Sequence, residues 1–370
     1  MSETFDVIVI GAGIVGMSVA SALAGRARVA VLERELRPGR QGTARAVSLL
    51  RQLHRAPELR QLAADSVPFF TAEHEELAGR TLTRPRGLLI LARADQERLL
   101  DRIEARLAGS HPLRRLEGRA LAERLPVLRP GYACAALSDD RTQDLDVPLM
   151  MTLHQTRLEA RGGRLFCAAP VSALEWQDGT WRVDSGVGAM RAPVLVNAAG
   201  AWAERVARMA GARPIGLRCR RRTVLELEPA GGRDLSELPM MVDADLHFYL
   251  KPEGDLLLAS PVDETVVPGC AAEPDDLDVT LCLDRIAACF DIELARVRRA
   301  WAGLRCYVAD GLPVCGWAED RPGFFWMSGQ GATGIQTSPA LAELAVSQIL
   351  GEADDSGLAD RLSPRRLRHG

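Results

Sequence analysis

Gly11, Gly13 and Gly16 stand at GxGxxG spacing between a short β-branched run, Asp6 to Ile10, and a helical face, Met17 to Leu23. A second strand-like run, Val29 to Leu32, follows and ends in Glu33. The glycine spacing alone is a weak signal, but strand, turn, helix and acidic strand end together make a βαβ unit suited to a dinucleotide. Gly11 permits the tight turn, Gly13 lets the backbone approach a pyrophosphate at the helix N-terminus, and Gly16 lets helix and strand pack closely. Glu33 is placed to accept hydrogen bonds from ribose hydroxyls. The bland alternative is a glycine turn with no nucleotide, and the fingerprint by itself leaves NAD and FAD both open.

Positioning these residues takes a chain of 370 residues, 47% hydrophobic, long enough for two domains with a core each. The formal charge of −3 gives no global attraction to nucleic acid. Eight cysteines (134, 167, 219, 270, 282, 289, 306, 315) contain no CxxC pair, which argues against zinc or a thioredoxin-like motif. No metal site is expected, and a reduced, cytoplasmic interior is the simplest reading. No segment reaches the roughly 18 unbroken apolar residues of a membrane span.

Further along, Ala192 to Asn197 read as a buried strand ending in the small-residue turn Ala198 to Gly200, so distant sequence returns to the first sheet. A charged stretch, Ala94 to Leu125, reads as helical, and strand-like segments lie at Val224 to Leu227, Met240 to Val242, His247 to Leu250 and Leu256 to Ala259. In the segment Gly323 to Ile349 a strand enters a glycine loop, and a helix follows with Ser338 as its cap and Pro339 at its first position. The tail LSPRRLRHG reads as a frayed, solvated end.

Across nearly the whole chain, DVIVIGAGIVG and VLERE, GTARA at 42 to 46, VLVNAAGAWA at 194 to 203, FYLKPEGD at 248 to 255, WAGLRCYVADGLPVCGW at 301 to 317 and GQGATGIQTSPA at 329 to 340 occur in order. Together they resemble the D-amino-acid oxidase superfamily, and within it the D-arginine dehydrogenase branch. The resemblance implies FAD and an α/β fold: a Rossmann-type, GR2-like FAD-binding domain with an inserted α+β substrate domain on a mixed or antiparallel sheet. The expected boundaries are 1–85, 141–216 and 305–362 for the FAD domain, 86–140 and 217–304 for the substrate domain, and 363–370 for the tail. For the cofactor it implies Gly11, Gly13, Ile14, Val15, Gly16, Glu33 and Arg34; Thr43, Ala44, Arg45 and Ala46; Val171; Ala199, Gly200 and Trp202; and Gly331, Ala332, Thr333, Gly334, Ile335 and Gln336.

The chemistry implied is oxidation of an amino acid, of D configuration, or a related small amine, by hydride transfer to flavin N5, with hydrolysis of the imine to the 2-oxo acid. A guanidinium is the best carboxylate clamp, because it pairs in a two-pronged geometry. The motifs place that role on Arg305, with Tyr249 and Arg222 as helpers. Each has a plainer alternative: a paired structural arginine, a strand tyrosine, or one member of the basic face Arg218, Arg220, Arg221 and Arg222. His54 and Gln336 are further candidates for the catalytic site, although a lone histidine is more often structural. Cys306 lies near where some sarcosine-oxidising relatives attach flavin covalently, but most cysteines are inert core residues.

Where the D-arginine branch carries a glutamate for a distal cation, the sequence reads RPRGLLIL around Gly87. A neutral or apolar substrate side chain is therefore expected, with Arg86 repelling a cation if it faces inward, unless Asp243 or Asp245 takes over. The electron acceptor is a quinone, another carrier or O2. The alternatives are an FAD-dependent 2-hydroxy-acid, cyclic imino-acid or sarcosine-type enzyme, and an electron-transferring flavin subunit with no substrate of its own.

Overall fold

The computed structural model describes residues 3–269 and 272–369, so Cys270 lies outside the described residues. Its central six-stranded sheet has the order Arg164–Phe166, Val29–Leu32, Val7–Ile10, Val194–Asn197, Phe324–Ser328, Val314–Trp317. The pairs are parallel except the last, Val314–Trp317 against Phe324–Ser328. Val7–Ile10 and Val29–Leu32 are buried at every position, as strands covered on both faces must be. On one face lie the helices Ile14–Leu23 and Gly334–Leu350; on the other, Trp181, Val183 and Met190 of a smaller four-stranded sheet pack against Ile8, Leu195 and Phe324.

A nine-stranded sheet collects segments 88–139 and 218–307. It is antiparallel except where Met240–Asp243 pairs with Leu88–Ala92. Its longest pairing joins Arg218–Pro229 to Leu294–Tyr307 and sets Arg220 opposite Arg305 and Cys219 opposite Cys306. The inserted-sheet architecture therefore matches the expected one. The boundary expected at 305 falls inside a strand: Leu294–Tyr307 continues past it, so Arg305 belongs to the nine-stranded sheet.

Several local expectations are corrected. The stretch Ala94 to Leu125 is not one helix: Glu97–Leu107 and Gly118–Arg124 flank the strand Arg114–Glu117, where Leu116 faces the core. The last long helix starts at Gly334, and Pro339 lies inside it. Proline has no N–H for the carbonyl of Ile335, and the Ser338 hydroxyl donates to that carbonyl instead (2.9 Å), so the helix tolerates it. Cys219 and Cys306 form a disulfide, a pairing between strands that a search for CxxC does not see. The tail is docked through Arg366, not frayed there: Arg366 donates to the carbonyls of Leu312 and Pro313 (3.0 Å each) and pairs with Asp310.

Candidate active site

A cavity of about 750 Å³ lies where the glycine turn of the six-stranded sheet meets the nine-stranded sheet. Gly11, Gly13, Ile14, Val15, Glu33, Arg34, Thr43, Val171, Ala199, Gly200 and Trp202 line it on the first side. Gly11 sits at φ +104°, and a Cβ there would stand 2.6 Å from the Ala198 carbonyl oxygen. The helix Ile14–Leu23 has no side-chain cap and no acid in its first turn, which leaves an N-terminus suited to phosphate. Glu33 is held in place by Ala12 N (2.8 Å) and Glu35 N (2.9 Å), each carboxylate oxygen keeping a free lone pair for a hydroxyl. The Thr43 hydroxyl accepts from Ile14 N (3.0 Å), tying the 39–46 segment to the turn. Arg34 stacks over Trp202 at 4.7 Å. This cradle fits FAD.

Tyr249, Arg222, Arg305, Met240, Val242, Leu88, Leu49, Val262 and Arg51 line the other side, with Gly331, Ala332, Gly334, Ile335 and Gln336 between the two. The guanidinium of Arg305 makes no hydrogen bond or ion pair among the described residues. The Tyr249 hydroxyl is buried and makes no hydrogen bond of good geometry, the Ser260 hydroxyl lying beside it across the strand pair. Burial pushes its pKa up, opposed by the charges of Arg305 and Arg222. Arg222 pairs with Glu264 (2.9 Å) and donates to the Asp263 carbonyl (3.0 Å). Burial first, then the charge of Arg305, lowers its pKa to about 10. Of the rest of the basic face, Arg221 is compensated by Asp263 and Asp278 and Arg220 by Glu264, while Arg218 is exposed to water.

Not every expected residue reaches the cavity. Gly16 lies behind the turn, where a Cβ would stand 1.9 Å from the Gly11 carbonyl oxygen. Ala44 is off the wall, its N–H bonded to the Gly39 carbonyl. Thr333 is the helix N-cap residue and spends its hydroxyl on the Gln330 carbonyl (2.9 Å). His54 is buried outside the lining, its Nε2 3.2 Å from the Arg51 carbonyl oxygen. Burial and the Arg51 charge push its pKa down to about 4, so it is neutral near pH 7 and does not touch the cavity. Gln336 lines the cavity and accepts from Arg51 N (3.0 Å).

Gly87 and Arg86 are also outside the lining. Arg86 turns to Asp144 (2.7 Å) and to the carbonyls of Ser236 and Leu238. Asp243 is taken up by Arg93 (2.9 Å) and Gln96, so neither it nor Asp245 supplies an acid to the cavity. Cys306 lines the cavity, but its sulfur is joined to Cys219 and its carbonyl accepts from Gly331 N (3.0 Å). The expectations missed Arg51. An arginine directly after the apolar pair Leu49–Leu50 is the one sequence signal that points to it.

A dinucleotide cradle facing an arginine-bearing sheet defines a two-domain flavin oxidoreductase. Residues 6–348 match the FAD dependent oxidoreductase family, DAO, and the chain belongs to it. Its cofactor is FAD. It is 26% identical to the glycine oxidase of Bacillus licheniformis, over 95% of this chain and 94% of that protein. It is 27% identical to human mitochondrial dimethylglycine dehydrogenase, over 84% of this chain but only 38% of that relative's length. Among solved structures, L-proline dehydrogenase from P. horikoshii superposes with a TM-score of 0.84 at 20% identity, covering 100% of this chain and 99% of that one. NikD, an amino acid oxidase of nikkomycin biosynthesis, superposes with a TM-score of 0.85 at 19% identity, covering 98% of both chains. No helix among the described residues is long and apolar enough to cross a membrane.

Proposed function

We propose that the chain oxidises the carbon–nitrogen bond of a small amino acid or related amine to the imine, which water hydrolyses to the 2-oxo acid. The observation that carries this reading is the pairing of an uncompensated guanidinium, Arg305, with a buried, unpartnered hydroxyl, Tyr249, on the same cavity wall. A carboxylate satisfies both, which fixes the α-carbon; the electron-transferring subunit without a substrate has no use for either group. FAD, when bound, takes the hydride. The surrounding guanidiniums oppose a charged amine and so favour its neutral form, the form able to give up hydride. Glycine oxidase and dimethylglycine dehydrogenase, whose names specify amine substrates, support the same reading.

The finer parts of the proposal are the D configuration, drawn from the branch resemblance, and a side chain that is neutral or apolar along Leu49, Leu88, Met240, Val242 and Val262. A cationic side chain is disfavoured: the acids of the lining are Glu33, Glu35 and Glu264, and Glu264 is engaged with Arg222. A quinone, another carrier or O2 would reoxidise the flavin, and the enzyme works in the cytoplasm, where a disulfide such as Cys219–Cys306 is an exception.

Arg305→Met tests the reading. The variant is expected to keep its FAD but to lose about 3 kcal/mol of transition-state stabilisation, roughly a hundredfold in flavin reduction by its best amino acid. Anaerobic stopped-flow absorbance measures this, and near-normal reduction would remove Arg305 from the site.

A further inference from the structure

We propose that Arg51 is a second anion-binding residue and that the preferred substrate carries two carboxylates, one on Arg305 and one on Arg51. The proposal rests on the reading that Arg305 takes the α-carboxylate and goes beyond it by naming the substrate class; where the second carboxylate is on the side chain, it replaces the neutral or apolar side chain of that reading.

Arg51 is built into the cavity wall with care. Its N–H donates to the buried Gln336 side chain (3.0 Å) and its carbonyl faces His54 Nε2 (3.2 Å), so the backbone is pinned on both sides of the side chain. Its guanidinium, however, makes no hydrogen bond or ion pair among the described residues. Other arginines of the lining are accounted for. Arg222 has Glu264, Arg45 donates to the Ala302 carbonyl (2.7 Å), Arg34 stacks on Trp202, and Arg40 and Arg205 are exposed to water. Arg51 and Arg305 remain, close enough that the charge of Arg305 is, after burial, the main influence pressing the Arg51 pKa below its ordinary value.

Two like charges held together in a partly desolvated wall are costly unless anions sit between them. On this side of the cavity the acid is Glu264, already bound to Arg222 and Arg220. One α-carboxylate balances one guanidinium, and a second carboxylate balances the other. The apolar residues Leu49, Met240 and Val242 then cover the carbon skeleton between them. The second carboxylate has two chemical sources, the side chain of an aminodicarboxylic acid or a carboxyalkyl group on the amine nitrogen.

Flavin reduction by the holoenzyme under anaerobic conditions separates them. D-Alanine and D-norvaline serve as monocarboxylates, D-aspartate and D-glutamate carry the side-chain acid, and N-(carboxymethyl)-D-alanine carries the nitrogen-linked acid. One dicarboxylate class is expected to exceed the monocarboxylates in kcat/KM by about tenfold or more, a ratio that falls toward one in Arg51→Met and is partly kept in Arg51→Lys. A second readout needs no turnover. Titrated against the visible flavin spectrum, succinate should bind about tenfold more tightly than propionate in the native protein and no more tightly in Arg51→Met. Monocarboxylates reduced as efficiently as dicarboxylates, or a variant that weakens both classes by one factor, would overturn the proposal; the second result would assign Arg51 to the flavin. Should no amino compound reduce the flavin, the amine reading fails by itself, and the succinate titration alone decides whether Arg51 binds a second carboxylate.

Discussion

Along the glycine turn the cavity wall is mostly backbone: Gly11 at positive φ, Gly13 with only Thr43 nearby, the open first turn of Ile14–Leu23, and one acid already oriented by two N–H groups. Along the nine-stranded sheet the wall is side chain: Arg305, Arg222, Tyr249, Met240 and Val242, projected from strands far apart in sequence. The first surface recognises a constant group, and at Gly11 and Gly16 its shape leaves no room for added atoms. The second recognises a variable group with residues that can be exchanged while the strand pairing beneath them persists. A change that crowds the backbone of the turn should therefore cost the fold and the cofactor together, and a change on the second side should cost the reaction alone.

Gly16→Ala is the harshest way to break that contrast. The added Cβ would stand 1.9 Å from the Gly11 carbonyl oxygen, a backbone atom that cannot yield without opening the turn. The expected result is protein that is colourless or insoluble, destabilised by roughly 3 kcal/mol or more, as for other overpacked buried sites. Gly13→Ala is the matched control, since its Cβ meets only the Thr43 hydroxyl at 3.4 Å. It should fold normally and bind FAD weakly. Thermal unfolding with bound-flavin absorbance checks both, and a yellow, stable Gly16→Ala protein would refute the account of the turn.

Tyr249→Phe probes the opposite wall. Its hydroxyl is buried without a partner, and such a group costs about 1–3 kcal/mol in the folded state. Removing it should leave the melting temperature unchanged or raise it, while flavin reduction falls by about tenfold if the hydroxyl binds carboxylate. A variant that loses stability as well would show that the tyrosine is structural.

The same contrast explains what the sequence disclosed. Local rules govern the backbone surface: strand, GxGxxG, helix and Glu33 are consecutive, so the cradle was legible from Val7 to Glu33. Val194–Asn197 and Phe324–Ser328 were legible too, because buried parallel strands read as unbroken apolar runs. The side-chain surface depends on register, which one strand cannot reveal. Cys219 meets Cys306 through the pairing of strands distant in the chain, and nothing near either residue announces it. Family motifs brought Arg305, Tyr249 and Arg222 to the cavity, whereas Arg51 belongs to no motif and was missed. His54 is a candidate from the sequence because it falls where the D-arginine branch carries a site residue after the glycine segment, but burial decides its state and its ring lies against the Arg51 carbonyl, outside the cavity lining.

Two buried histidines give the finest comparison of the two sides. His54 backs the Arg51 segment, and His154 sits under the glycine-turn helix with its ring nitrogens on the Ser18 and Ser21 hydroxyls (3.1 and 2.8 Å). Burial first, with neighbouring arginines adding to it, pushes His54 down to about 4 and His154 down to about 3. Both pKa values are lower in the folded protein than the ordinary 6.5, so between those limits the unfolded chain binds more protons. Their contribution to stability is complete above about pH 6.5 and is lost as pH falls toward 4. Carboxylates such as Glu76, held at about 2 by Arg157, lose their contribution from about pH 5 downward, so the histidines are read cleanly between pH 6.5 and 5. At pH 7 neither His54→Asn nor His154→Asn should change the pH slope of the melting temperature. From pH 6.5 to 5 the native protein should lose stability steadily, each variant should lose less, and both slopes should flatten to a similar degree, because down to pH 5 both folded-state histidines stay neutral. Below pH 4 the lowered carboxylates draw every curve down, but of the two histidines only His154 still adds to the fall, so the His154 variant should then be the flatter of the two. Melting temperature against pH measures this directly, and a native curve level from 7 to 5 would show that neither imidazole is held neutral by its surroundings.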